Sequence, residues 1–325
     1  MFCSTIIATI GRPSLSRAVC SVLDQSFTDA GFEVIVVNDS GWPLPEAAWQ
    51  QSERVRVVTT NRRERAVARN TGAAMARGDY LHFLDDDDWL APDALAHFWK
   101  NQPGEDAGWL YGVSQLVDRQ GRPLIRLHHE LSGNCFLHVM AGEWVPLQSS
   151  LVAAEAFFAV GAFNPLLAGP EDIDLLRRVA LAYPLAGMDQ LAAFIERGDE
   201  GSSTDYDRHP GLSRRAREEI LEEPGVFSRL RPAMTGPYWS GRLVRLYLTS
   251  ALWNARRLRA LTTVSRLSYA FRGLLLGGSD ALSADFWRSL ARPYASPTFA
   301  RGFALAASGN AQQAGPAATT GNVES

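Results

Sequence analysis

Apolar positions along the first ninety residues alternate between two periods. "STIIAT" (residues 4–9) and "FEVIVVND" (32–39) are rich in β-branched residues and lack a clean polar alternation, the pattern of strands covered on both faces. Between them, "RPSLSRAVCSVLDQS" sets Leu15, Ala18, Val19, Val22 and Leu23 at helical spacing, with Pro13 in a first turn. A third strand is expected at Val55–Thr59. "NRRERAVARNTGAAMARGD" predicts a helix capped by Asn61 and ended by Gly78, and "YLHFL" predicts a fourth strand ending on aspartates. This alternation predicts an α/β fold with a mostly parallel sheet flanked by helices. Such sheets bind ligands beyond the carboxyl ends of their strands, where Thr9, Asp39 and Asp85 to Asp88 fall.

The later pattern is less regular. "PDALAHFWKNQ" predicts a helix, and "GWLYGVSQLVDRQGRPLIRL" a hairpin around "DRQGRP". Residues 149–184 predict a strand, a short helix, a loop and a helix running to about Tyr183. "QLAAFIERGDEGSSTDYDRHPG" predicts a last strand that leaves into a Gly-, Ser- and Asp-rich loop. No internal repeat is visible. Residues 307–325, rich in Ala, Gly, Asn, Gln and Ser, are expected to be a disordered tail.

Composition narrows the class. A chain of 325 residues, 46% hydrophobic, buries a large core and suits one full domain plus an addition. Cys3, Cys20 and Cys135 are widely spaced, without CxxC pairing, and are read as reduced thiols of a cytosolic protein. The amino terminus has no basic residue before its apolar run, so no signal peptide is expected, and no stretch approaches the roughly 20 apolar residues of a spanning helix. Charge is divided unevenly. Residues 1–223 hold 32 acids and 20 bases, a balance of −12; residues 224–325 hold 3 acids and 12 bases, a balance of +9, and together they give the net −3.

"YLHFLDDDDWLAPD" (80–93) raises the chemical question. Four adjacent carboxylates are either a solvated loop or a place where a cation or polyhydroxyl ligand takes up charge. With this run, "ARNTGAAMARGD" before it and "GPEDIDLLRRVA" (169–180) after it, the sequence resembles the family 2 glycosyltransferases of the GT-A fold, over about residues 3–205. Moving a sugar from a nucleotide requires neutralising the leaving diphosphate, holding the nucleoside and deprotonating the acceptor hydroxyl. Asp85 and Asp87, one residue apart, suit the first two tasks, with Mg2+ or Mn2+ as the hard cation.

The resemblance implies particular roles. Asp87 is the metal ligand, and Asp85 or Asp86 faces the ribose; Asp88 caps the next helix or holds the loop. Asp39 matches the acid that accepts from uracil N3, although Asn38 replaces the family's first acid there. Ala8, Thr9 and Ile10 meet the base, Ile10 in place of a common aromatic, which leaves the identity of the base open. The arginines of "NRRERAVARN" (61–70) are the phosphate or base-edge partners, Arg65 the best placed. Glu171 and Asp172 match the acceptor-side pair, with Asp172 as general base, a charge that a helix amino terminus stabilises. Asp174, Arg177 and Arg178 read as scaffold. Arg197, Arg208 and His209 belong to a possible lid.

The expected organisation is a GT-A domain at 1–223, an arginine-rich helical extension at 224–306 and the tail. From Pro224 to Ser279 there are nine arginines and no acid. That end reads either as a basic surface lying on anionic lipid, or as an appendage docking on the acidic domain or on a second copy, a homodimer. Nucleic-acid binding is not expected. The function expected is an inverting transferase moving a sugar from a UDP- or dTDP-sugar to a hydroxyl of a saccharide or lipid-linked acceptor, in the cytoplasm or at the inner face of the membrane. The alternative is a non-catalytic GT-A-like protein that binds a nucleotide or a partner; a phosphatase with an aspartate nucleophile fits poorly, lacking a DxDxT pattern near the amino terminus.

Overall fold

The β-branched runs form strands because every residue between Cys3 and Ile7, and between Phe32 and Asn38, is buried on one sheet face or the other. β1 (Phe2–Thr9) and β2 (Gly31–Asn38) pair in parallel, Thr9 beside Asn38, and α1 (Leu15–Leu23) connects them. β3 (Val55–Thr59) adds parallel to β2, and β4 (Tyr80–Asp85) adds parallel to β1 on its other side with Asp85 opposite Ala8. The computed structural model describes residues 2–26, 31–60, 63–101, 106–197 and 210–291.

α2 (Arg65–Met75) starts later than Asn61, which lies outside the described residues. Its cap is the Glu64 carboxylate, which accepts from the Ala66 and Val67 amides at 3.0 and 2.8 Å. The helix lies close on the sheet: a Cβ at Gly72 would sit 2.4 Å from Ile6 Cγ2, so only glycine fits. It stops at Met75, with Ala76 as its C-cap, before Gly78 is reached.

The remaining elements are β5 (Trp89–Leu90), α3 (Ala94–Lys100), β6 (Trp109–Val117), β7 (Pro123–Leu127), α4 (Phe136–Ala141), β8 (Ser150–Ala153), α5 (Ala154–Ala159), α6 (Glu171–Ala182) and β9 (Leu185–Glu196). The sheet order is β3-β2-β1-β4-β8-β6-β9-β5, with β7 paired to β6. The parallel expectation holds for the first four strands. Beyond them β8 runs antiparallel to both β4 and β6, β7 returns antiparallel to β6 across the hairpin at 118–122, and β9 is parallel to β6. β2 and β4 flank β1 in parallel, so the carboxyl ends of all three come together, the place where such sheets bind ligands.

Five helices complete the described chain: α7 (Pro210–Glu222), α8 (Val226–Leu230), α9 (Pro237–Ala255), α10 (Ala260–Gly277) and α11 (Ala284–Ala291). α9 packs against both α10 and α11 and reaches α4. Leu243, Leu246, Tyr247 and Phe286 share one core with Ile6, Phe83, Phe136 and Leu176, while α1 and α3 cover the other sheet face through Val19, Val22, Leu95 and Phe98. The arginines of this end dock on carbonyls: Arg229 donates to Leu181 O and Arg242 to Ala141 O, each at 3.0 Å and each at a helix carboxyl end that carries partial negative charge. The helices therefore dock on the sheet domain of their own chain. Among the described residues no helix is long and apolar enough to cross a membrane. Residues 292–325, including the expected tail, lie outside the described set.

Candidate active site at the strand ends

β4 delivers the aspartates to these strand ends, and each carboxylate has its own environment. Asp85 accepts from Arg69 Nη2 at 2.6 Å and from Gln148 Nε2 at 2.8 Å. Burial would raise its carboxyl, but Arg69 and Arg65 more than offset that and hold it at about 2. Asp86 is turned under the strand ends and is buried, accepting from the Thr9 hydroxyl at 2.6 Å and Arg12 Nη1 at 2.7 Å. Asp87 meets the same Arg12 nitrogen at 3.0 Å. Burial and the charge of Asp85 raise the Asp87 carboxyl to about 6 despite Arg12. Asp88 is buried and accepts from the Glu196 amide at 2.7 Å; burial, then Asp85 and Asp87, push its carboxyl well up.

Oxygens of Asp85, Asp87 and Asp88 all lie within 4.8 Å of one another. Two of the three carboxyls are raised by burial and mutual repulsion, and a hard divalent cation relieves both, so this donor set fits Mg2+ or Mn2+. The sequence assigned only Asp87 to a cation. Asp88 does not cap the next helix, whose N-cap is Asp93; it ties the strand end to β9.

Supports behind this shelf come from across the fold. Arg17 donates to the Asp87 carbonyl at 2.6 Å and to Glu196 at 2.7 Å, and lies 3.9 Å over the Trp89 ring. His82, fully buried, contacts Thr5 Oγ1 at 3.1 Å and the Gln148 carbonyl at 2.9 Å. Burial lowers it to about 4, so it is neutral at pH 7. A carbonyl only accepts, so Nε2 carries the proton and Nδ1 accepts from Thr5. His82 thus anchors the backbone of the residue whose amide holds Asp85.

The second acidic group opens α6. Glu171 is buried, and its Oε1 lies 3.1 Å from Arg69 Nη1 and 3.6 Å from Arg65 Nε. Asp172 Oδ1 accepts from the Ile173 amide at 2.7 Å. Its carboxyl is raised to about 6, by burial first and by the Glu171 charge second, with Arg69 opposing. The direction is opposite to the helix-dipole expectation, because burial outweighs the dipole, yet the group is still mostly ionised at neutral pH. Asp174 and Arg178 are scaffold in geometry: Arg178 binds Asp174 at 2.7 Å and the Val160 and Ala162 carbonyls.

The other expected residues divide. Asp39 is buried, accepts from Thr60 Oγ1 at 2.9 Å and has its carboxyl raised by burial. Thr9 is turned toward Asp86, while Ala8 is half-buried and Ile10 is 40% exposed beside it. Arg197 donates its amide to Val117 O at 2.8 Å, and its charge opposes the rise of Asp88. Arg208 and His209 lie outside the described residues. Sequence reading missed Arg12, Arg17 and Gln148, and grouped Arg69 with the phosphate-side arginines of residues 61–70, whereas it bonds Asp85 and Glu171. For Arg69 a signal existed: it falls with Ala66 and Ala73 on the i, i+3, i+7 stripe that α2 buries.

Comparisons with known proteins accord with this geometry. Residues 4–140 match the sequence profile described as glycosyl transferase family 2. The chain is 34% identical over 98 residues to the poly(ribitol-phosphate) β-N-acetylglucosaminyltransferase TarP of Staphylococcus aureus, covering 28% of this chain and 30% of TarP. It is 34% identical over 122 residues to the succinoglycan biosynthesis protein ExoW of Rhizobium meliloti, covering 31% of this chain and 38% of ExoW. The matched stretches thus span about a third of those relatives' length. The crystal structure of S. aureus TarS 1-349 in complex with UDP-GlcNAc superposes with a TM-score of 0.56 and 16% identity over 87% of this chain and 92% of that one, a likeness of fold.

Proposed function

From the premise that the chain belongs to glycosyl transferase family 2 and has a GT-A fold, we propose that it is an inverting transferase moving a sugar from a nucleoside diphosphate, uridine or thymidine, to a hydroxyl of a saccharide or lipid-linked acceptor. One observation carries the reading: the buried guanidinium of Arg69 bonds Asp85 of the β4 shelf and Glu171 of the α6 pair. Donor-side and acceptor-side acids are thereby held at one site, as a single displacement requires. The UDP-GlcNAc in the TarS complex supports the choice of donor class.

In this mechanism Asp39 and the residues around Thr9 receive the nucleoside, and Asp85 faces the ribose. Asp87, with Asp85 and Asp88, would hold Mg2+ or Mn2+, which neutralises the leaving diphosphate. Asp172 accepts the acceptor hydroxyl's proton as that oxygen bonds the anomeric carbon. The bond from that carbon to the diphosphate breaks on the opposite face, its electron pair leaving with the phosphate, and configuration inverts. Arg69 holds Glu171 and Asp85 in register without touching the reacting atoms. Screening nucleotide sugars for hydrolysis and thermal stabilisation, with and without Mn2+, tests the reading. Stabilisation by one uridine or thymidine donor that depends on Mn2+ is expected; no response to any nucleotide sugar overturns it.

A further inference from the structure

α10 is built with its polarity reversed. The side turned to the protein carries Arg266, Ala270 and Gly273, all buried, while the side turned outward carries Leu261 at 90% exposure, Val264 at 65%, Phe271 at 60% and Leu275 at 63%. At 100° per residue these four fall on one stripe broken only by Ser268. A soluble helix places its apolar stripe inward; this one has an outward stripe that its neighbour α9 does not cover. Single exposed leucines need no explanation, but a contiguous apolar stripe marks an interaction site.

Charge identifies the occupant. The turn entering α10 is Arg256-Arg257-Leu258-Arg259, with Leu258 92% exposed and Arg256 and Arg257 exposed around it. Arg272 is exposed at the flank of the stripe, its guanidinium 5.2 Å over the Phe227 ring. No acidic residue occurs between Glu223 and Asp280, and Glu222 is engaged with Arg259 at 3.4 Å. A two-fold contact centred on this basic approach would bring positive surface against positive surface. Residues 292–325 carry Arg292 and Arg301 against the single acid Glu324, so they too have the wrong sign to cover it. We infer that the outward face of α10 and its basic approach dock on an anionic lipid surface, the apolar stripe entering the headgroup boundary and the arginines meeting lipid phosphates.

This surface deepens the proposed function by favouring a lipid-linked acceptor, and in that respect rests on it; the docking itself does not. The test uses the whole chain, no donor, and phosphatidylcholine vesicles with and without phosphatidylglycerol. Sedimentation with the anionic vesicles only, released by salt, is expected. The double variant Leu261→Ser, Phe271→Ser and the double variant Arg256→Gln, Arg257→Gln should each lower partition by roughly tenfold or more with unchanged circular dichroism and melting temperature, since all four side chains are exposed. Sedimentation with neither vesicle, or equally with both, overturns the inference. So does a dimer in analytical ultracentrifugation that the Leu261→Ser, Phe271→Ser pair dissociates, which would assign the face to a second copy. Because no sugar donor enters the assay, failure here leaves the transfer reaction standing, and failure of the donor screen leaves the docking standing.

Discussion

Replacing Arg69 with methionine, of similar length and without charge, tests whether this side chain unites the site. Its guanidinium is 4% exposed and bonds Asp85 at 2.6 Å and Glu171 at 3.1 Å, and Glu171 Oε2 already lacks a hydrogen-bond partner. Removing one member of a buried ionic group leaves the others uncompensated, at a cost of about 3–5 kcal/mol. At about 2–4 °C per kcal/mol for a chain of this size, the melting temperature should fall by roughly 10 °C. The pH dependence has a definite sign. Asp85 is depressed to about 2 in the folded protein, so its contribution is present above the ordinary carboxylate range, near 4, and is lost as pH falls toward 2. The variant lacks that contribution, so its deficit against wild type should be full at neutral pH and shrink on acidification. Urea unfolding across that range measures it, and Arg69→Lys should fall between, keeping charge but not the fork. A loss under about 1 kcal/mol at neutral pH, or a deficit that grows with acid, would refute the reasoning.

Asp87→Asn should abolish transfer and the metal-dependent part of UDP binding by calorimetry while leaving the fold intact; unchanged metal-dependent binding rules the assignment out. Asp172→Asn should slow transfer by roughly 10²- to 10⁴-fold with donor affinity little changed, and Glu171→Gln should do less; a larger effect at Glu171 reverses the roles. Since the Asp172 carboxyl lies at about 6 and must be ionised to accept a proton, wild-type activity should level off above that pH and fall below it, an acid limb that Asp172→Asn removes. Arg12→Met removes the cation that Asp86 and Asp87 share at 2.7 and 3.0 Å, so Mn2+ titrated without nucleotide should bind more tightly to the variant; weaker binding would mean that Arg12 shapes the shelf instead of competing for it.

What the sequence disclosed followed from locality. β1, β2 and β4 are short apolar runs whose residues report burial one by one, and the acids at their ends stand beside them in the chain, so the shelf was legible as a cluster of carboxylates, whereas the α6 pair was singled out only by the family resemblance. The supports were not, because each acts across the fold: Arg12 reaches positions 86 and 87, Gln148 reaches position 85, and Arg17 reaches position 196. A lone polar residue carries no spacing that names such a partner. The helix start at Glu64 in place of Asn61 was hidden for a different reason. A glutamate is not a favoured cap, and only the observed bonds to Ala66 and Val67 reveal it. The antiparallel β6–β7 hairpin was foreseen from "DRQGRP"; the direction of β8 escaped, because strand direction is set by the connection and not by the strand.

The core shared by the first strand and the last helices governs how the chain can fold. Ile6 and Phe286 belong to one buried cluster, so the sheet face that carries Ile6 has no complete cover until almost the whole described chain has been synthesised. An emerging amino-terminal portion can close α1 and α3 over the opposite face early, because Val19, Val22, Leu95 and Phe98 lie within the first hundred residues. Its other face must stay open to the surroundings meanwhile, a long-range closure that is slow and prone to aggregation at the ribosome. Ribosomes stalled before codon 237 should therefore hold a half-covered, chaperone-dependent sheet, and release from protease sensitivity should come only after α9 to α11 have cleared the exit tunnel.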